Sequence, residues 1–451
     1  MINHLTVTTN RSSWNLINTS VAVVIIINYF NIFHHHWFVK LLGGNIIKIW
    51  FPTVFLLSLL AMRTVIKNRS IFIRKDSIYS VKIFCLFYFI FGFISLVSHG
   101  EGMHYLGKYS LVIFIPVILF GIIVTTFYDN EYIKKVLQLL FVGGLIITFY
   151  VEYLYFVGGG FVDTMVFEST LGSIFRHGMP GLGVSTYAGM LPPLILTGLY
   201  MALKNTGFIK YFYYASTIFI SYAAFATMSR AAFISLIIGL FIFLWYFSQK
   251  KYFTYITIIM VFIGTIWLNI SVLLRILGPM ASAKIFSASK FITNTAFKYN
   301  IYNSPYTNDP HIEVIRKSIS AFSESPLFGV GFNEMMIVNE HNRYIEVLAS
   351  NGLAVFIPYV GLIITIIIIS RKMLLNEIKF NGKDKEIGAL LFAGLIAFVI
   401  YMNAAPDEFY FYWIWFALVL AWAKNCSRAQ LQRQKYLIST AKNVNFPNDL
   451  G

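Results

Sequence analysis

Twelve stretches of this chain are apolar for about twenty residues each, the length needed to cross the hydrocarbon core of a bilayer. They lie near 16–33, 45–62, 79–97, 109–127, 137–156, 184–203, 211–228, 231–248, 252–271, 353–370, 387–403 and 409–424. No other feature constrains the fold as strongly. The chain is 58% hydrophobic and only 12% charged, with a mean hydropathy of +0.70, too little charge to keep 451 residues dispersed in water. From Tyr211 to Phe247 the sequence is apolar almost without interruption. One helix of that length would reach about 55 Å, against a core of roughly 30 Å. The stretch must therefore fold back, and Ser229-Arg230 is the polar break where it turns. The fold class expected is an all-α integral membrane protein of about twelve spans.

The net charge of +16 would suggest nucleic acid in a soluble protein. Here the basic residues sit in short loops between apolar runs, where they set topology. Of the 35 lysines and arginines, 23 fall on one side, among them Arg63–Lys82, Lys134, Lys135, Lys250, Lys251, Arg371–Lys385 and those after Ala423. The other side carries five outside its long loop: Lys40, Lys48, Lys108, Arg176 and Arg230. Both termini are expected in the cytoplasm and the long loop outside. The first apolar run meets His34-His35-His36-Trp37 rather than a small-residue cleavage site, so a cleavable signal is not expected there. Cys85 and Cys426 cannot make a disulfide framework.

The expected organisation is a bundle of nine spans over 1–271, a large outer loop over 272–352, three spans over 353–424 and a basic tail over 425–451. Within the loop, Ile312, Ile315, Ile319 and Phe322 recur at helical spacing, predicting a helix over His311–Phe322 that Ser325-Pro326 ends. Asn339 is a plausible cap for a second helix, which would place His341 in its first turn and His341, Tyr344, Ile345 and Leu348 on one face, with Asn351-Gly352 closing it. The positive end of a helix disfavours an imidazolium, which suits a neutral histidine able to take a proton. The inner segment Arg371–Glu386 and the tail after Lys424 read as solvated or headgroup-contacting.

Few residues can carry chemistry. Arg230 lies on the side where topology selects against positive charge, so an anion-binding role competes well with that of a snorkelling anchor. Arg316 sits on the loop helix just off its apolar face, where it could equally be solvated. Arg176, beside His177, lies in a segment rich in glycine and proline. Three arginines on one side make sense together if the ligand carries a diphosphate, because guanidinium gives forked, permanent donors to phosphate oxygens. Asp407-Glu408 is the exposed acid pair and a reserve general base. There is no Walker sequence, no Asp-x-Asp pair and no proton relay, Glu152 being a single acid near a span end. The run His34–His36 reads as an interfacial anchor rather than a metal site.

Four segments, in order, resemble the O-antigen ligase and polymerase superfamily of bacterial membrane enzymes. They are Phe175-Arg-His-Gly-Met179; Thr227-Met-Ser-Arg-Ala-Ala-Phe233; Ile315-Arg-Lys followed by Glu324-Ser-Pro-Leu-Phe-Gly-Val-Gly331; and His341-Asn-x-Tyr-x-x-x-Leu-x-x-x-Gly352. The span layout and the single large outer loop match as well. The resemblance implies glycan transfer from undecaprenyl diphosphate at the periplasmic face of the inner membrane, without nucleotide, metal or other cofactor. It implies that Arg230 and Arg316 hold the diphosphate and that His341 activates or positions the acceptor hydroxyl. Arg176, His177, Asn342 and Tyr344 would line the same cavity. The acceptor would be lipid A–core in a ligase and a second lipid-linked repeat unit in a polymerase. An Arg-x10-Gly pattern found in some polymerases is missing after Arg176, Arg230 and Arg316, which favours the ligase. A protein O-oligosaccharyltransferase and a polysaccharide flippase are the further alternatives.

Overall fold

The computed structural model describes residues 16–30, 78–99, 115–127, 129–157, 167–169, 172–174, 183–227, 229–248, 310–331, 342–380, 382, 384–403 and 410–443. These form eleven helices: α1 (Leu16–Tyr29), α2 (Tyr79–Ser98), α3 (Ile115–Thr126), α4 (Asn130–Val157), α5 (Gly183–Lys204), α6 (Gly207–Ala226), α7 (Arg230–Ser248), α8 (Pro310–Glu324), α9 (Arg343–Lys379), α10 (Lys385–Tyr401) and α11 (Tyr410–Asn443). A two-stranded antiparallel hairpin of three residues a side, β1 (Phe167–Ser169) and β2 (Gly172–Ile174), lies between α4 and α5. Ten of the twelve predicted apolar stretches coincide with helices, and the stretches 45–62 and 252–271 lie outside the described residues. Among the described residues, four helices are by themselves long and apolar enough to cross a membrane: Tyr79–Ser98, Asn130–Leu154, Thr186–Lys204 and Arg343–Lys379. The fold is that of an all-α membrane protein.

The core runs along α11. Every residue from Phe411 to Cys426 is buried, so α11 is apolar all round from Phe411 to Ala423 and enclosed all round as far as Cys426. Its large rings sit where the neighbouring helix is small. A side chain at Gly394 of α10 would collide with Trp415, and one at Gly388 with Trp422. The Trp415 indole N–H donates to the Leu391 carbonyl at 3.0 Å. Helix α9, by contrast, is one-sided. Leu353, Ile357, Ile364, Ile368 and Leu375 form an exposed stripe at four- and seven-residue steps, while Val355, Tyr359, Leu362 and Ile366 are buried. Such a stripe is expected where lipid replaces protein as the neighbour.

The fold-back predicted at Ser229-Arg230 is present, with α6 ending at Ala226 and α7 starting at Arg230. The two helices then take different partners: α6 packs on α5, and α7 packs chiefly on α10.

Three expectations need correction. The tail after Lys424 does not begin as a solvated segment: α11 continues unbroken to Asn443, and Asn425 and Cys426, like Lys424 before them, are buried. The Lys424 ammonium donates to the Val124 carbonyl at 3.3 Å. The segment Arg371–Glu386 is not a loop either. Helix α9 carries it as far as Lys379, and Glu377 and Asp384 are buried. Among the described side chains of α8, Ser318 is buried, while Ile315 and Ile319 of the predicted apolar face are exposed. The helix is turned from the orientation that its periodicity suggests.

Candidate active site at the outer helix ends

The end of the bundle that the charge distribution assigns to the outside is called the outer end below. It gathers the start of α9, the start of α7, the end of α10 and the end of α2. Helix α9 begins at Arg343, and Asn342, with extended backbone at φ −142°, is its cap. The Asn342 side-chain oxygen accepts from the main-chain N–H of Tyr344 at 3.0 Å and of Ile345 at 3.2 Å. The cap is therefore Asn342 and not Asn339, and His341 precedes the helix instead of lying in its first turn. His341 itself, like Arg176, His177, Asn339, Asp407 and Glu408, lies outside the described residues.

The reason for this start is a long-range contact. The Arg343 N–H donates to the Met402 carbonyl at 3.0 Å, and the Tyr344 hydroxyl donates to the Val399 carbonyl at 3.0 Å. Both acceptors belong to the end of α10. The same end of α10 holds the start of α7: Tyr401 packs with Ala188, Ala231 and Ala232, and a side chain at Gly189 would strike the Tyr401 ring. The main chain of Arg230 opens α7 one residue ahead of Ala231. Through α10, then, the structure brings the start of the Arg230 helix and the Asn342–Tyr344 turn to one end of the bundle.

Helix α8, which carries Arg316, is tied to α9 by a different device. Arg316 itself is exposed. The segment after α8, Ser325-Pro-Leu-Phe-Gly-Val-Gly331, inserts into a break in α9 at Gly352. In an uninterrupted helix, Leu353 N–H would bond to Ala349 and Ala354 N–H to Ser350. Here Leu353 and Ala354 donate to the Pro326 and Leu327 carbonyls at 2.9 and 3.0 Å. The Ala349 and Ser350 carbonyls accept instead from Val330 and Gly331 at 3.0 and 2.9 Å. Two lost helical bonds are replaced by four to the inserted segment, so the break leaves none of these groups orphaned.

Gly352 has φ 66° and ψ −173°, a region open essentially to glycine alone. Gly329, at φ 73°, lies against it. A side chain at Gly352 would land on the Leu327 carbonyl, and one at Gly329 on the Ser350 carbonyl. Asn351-Gly352 was expected to end a helix. It breaks the helix without ending it, because the chain resumes helical geometry at once.

The outer end also holds a residue that sequence reasoning passed over. Arg343 is buried, and its Nη1 lies 2.6 Å from Glu346 Oε1, an i,i+3 pair. Tyr88, Tyr359 and Tyr412 surround it. Tyr88 and Tyr359 are 5.5 Å apart between ring centroids, and Tyr359 and Trp413 are 6.2 Å apart. Arg343 stood in the sequence as one of seven basic residues of a long loop, where charge has little topological force. The one legible signal was the spacing Arg343-x-x-Glu346.

Two comparisons can be set beside this geometry. Residues 215–360 match the family model for O-antigen ligases. Over these 146 of its 451 residues the chain is similar to the O-antigen ligase family. No curated protein matches the chain. The matched segment opens inside α6 and closes inside α9. It contains the start of α7 with Arg230, all of α8 with Arg316, the inserted segment 325–331 and the Asn342–Tyr344 turn.

Proposed function

We propose that this protein is a membrane glycosyltransferase of the O-antigen ligase type. It transfers a polysaccharide from undecaprenyl diphosphate to a sugar of lipid A–core at the periplasmic face of the inner membrane. The observation that carries this reading is the O-antigen ligase match over 215–360, in a membrane fold whose matched helices start or end together.

The chemistry is self-contained. The acceptor hydroxyl attacks the anomeric carbon, a new C–O bond forms, and the bond to the diphosphate oxygen breaks. Negative charge develops on the departing diphosphate, where Arg230 and Arg316 stabilise it. Removing a donor of this kind commonly costs about 3 kcal/mol or more of transition-state stabilisation. His341 receives the acceptor proton, a contribution of roughly two to four orders of magnitude in rate. Arg176, His177, Asn342 and Tyr344 line the donor and acceptor site. Asn342 spends its oxygen on the cap and keeps its amide hydrogens for a sugar. The diphosphate is already an activated leaving group, so the step calls for no metal, nucleotide or other cofactor. With no covalent intermediate, the anomeric centre inverts.

The test is a lipopolysaccharide gel from a deletion strain, with an assay of carrier-linked glycan alongside. Bare core with long chains accumulating on the carrier is the expected result. Core bearing a single repeat unit would instead identify a repeat-unit polymerase. An unchanged ladder in a strain without redundant copies would overturn both. Complementation with His341→Ala, at unchanged protein level, is expected to leave the deletion phenotype in place. Normal coupling in that strain would remove the enzymatic reading and leave transport.

A further inference from the structure

His99 caps the end of α2 and touches the inserted segment. Its Nε2 lies 2.8 Å from the Gly329 carbonyl oxygen, and its Nδ1 lies 2.6 Å from the Ser95 carbonyl oxygen. A carbonyl oxygen only accepts. A neutral imidazole carries one N–H and one lone pair. Either neutral tautomer would therefore set a ring lone pair against a carbonyl lone pair at one of these two contacts. The Ser98 hydroxyl, 3.3 Å from Nδ1, does not relieve this, because it donates to the Ser95 carbonyl at 2.8 Å. Only the imidazolium, with a proton on each nitrogen, satisfies both oxygens.

We propose that His99, in its charged form, is a positioning residue that clamps the 325–331 segment to α2. Through that segment it fixes the Arg316 helix relative to α9. A neighbouring bond shares the load, since Ser95 Oγ donates to the Phe328 carbonyl at 2.9 Å. Loss of the proton leaves one of the two ring contacts repulsive, and the segment loosens. From α2, the groups that face the ring are Ser95 and Ser98, neither of them titratable in this range. From the inserted segment it is the Gly329 carbonyl, flanked on the chain by the exposed Glu324. From α9, the nearest charges along the chain are Arg343 and Glu346, which pair with each other. Among the described residues no carboxylate forms an ion pair with His99. The consequence for transfer rests on the reading given under Proposed function, but the clamp itself does not.

The test uses the full chain in phosphatidylethanolamine–phosphatidylglycerol nanodiscs. Amide hydrogen exchange of residues 325–331 is followed by mass spectrometry at about pH 5.5 and about pH 8, either side of the ordinary histidine range. After correction for intrinsic exchange, protection is expected to fall by about tenfold or more at the higher pH, the scale of one charge-assisted hydrogen bond. His99→Arg, permanently charged, is expected to remove the pH dependence. His99→Ala is expected to be loose at both values. Equal protection of the wild-type protein at both pH values would overturn the clamp, and this comparison needs no variant to fold. A pH dependence unchanged in His99→Arg would overturn it too, by assigning the titration to another group. Transfer rate, measured on the same samples, is expected to follow the exchange data. A flat rate over a changing protection would overturn the positioning role. A preparation with no transfer at either pH would count against the proposed function, while exchange would still decide the clamp.

Discussion

The two ends of the bundle are held together by different chemistry. At the outer end the main chain does most of the joining: four main-chain bonds link 326–331 to 349–354, and another links Arg343 to Met402. At the opposite end, side chains join side chains. Asn130 Nδ2 donates to Asp384 Oδ2 at 2.9 Å, and Asn425 Nδ2 donates to Asn130 Oδ1 at 3.0 Å and to the Phe127 carbonyl at 3.1 Å. Lys134 lies 3.8 Å from Asp384, and Lys204 pairs with Glu386. Side chains that hold one another in this way are committed to joining helices. An end joined largely through carbonyls, amides and glycines commits fewer of its side chains to that work. The contrast is the physical reason to look for the chemistry at the outer end.

The buried Arg343–Glu346 pair is a side-chain link at that end, and removing Arg343 is the largest break. Arg343→Ala would leave Glu346 buried beside an empty guanidinium site, a change that typically costs about 3–5 kcal/mol. The expected outcome is low yield or a markedly lowered melting temperature in detergent. The double variant Arg343→Met, Glu346→Leu removes both charges and is expected to recover most of that loss. If it melts no higher than Arg343→Ala, the pair contributes more than mutual neutralisation.

Breaking the main-chain junction comes next. Gly352→Ala forces a side chain into a backbone region that costs about 1–3 kcal/mol, before the clash with the Leu327 carbonyl is counted. The expected result is a lower melting temperature together with loss of transfer, because the Arg316 helix is released from α9. A variant that melts lower but transfers normally would show that the junction serves stability alone.

At the opposite end, Asn130→Ala is expected to cost about 1–3 kcal/mol, since it removes one hydrogen-bond partner each from the buried Asp384 and Asn425. It should lower the melting temperature and leave the transfer rate per folded molecule unchanged. A fall in that rate would dissolve the functional contrast between the two ends.

The division between what could be read early and what could not follows the range of the interactions. The apolar stretches, the turn at Ser229-Arg230 and the existence of α8 are set by local composition and periodicity, and the sequence displays them. Which face of α8 packs is decided by α9, through the inserted segment, so Ser318 rather than Ile319 turns inward. The burial of Lys424 depends on the Val124 carbonyl, three hundred residues earlier in the chain. The motif Ser325–Gly331 was visible as a resemblance. Its physical reason was not, because it exists only where two glycines with positive φ meet across a broken helix. The start of α9 shows the same limit on a small scale. Asn339 and Asn342 are equal candidates for a cap by residue type, and a carbonyl at the far end of α10 decides between them.

The smallest expected effect separates two roles of Asn342. As a cap it supplies an oxygen to two N–H groups, and Asn342→Ala should cost about 1 kcal/mol of stability. Asn342→Asp retains that oxygen and adds a negative charge at the positive end of a helix, so stability should be kept or slightly raised. The aspartate lacks the amide hydrogens, however, which are the part of Asn342 that the cap does not use. If Asn342→Asp melts like the wild type and still loses transfer, with KM for the acceptor raised, the amide touches substrate. If both melting and transfer are kept, Asn342 is a cap only, and the outer end contributes one fewer side chain to the chemistry than the comparison of the two ends suggests.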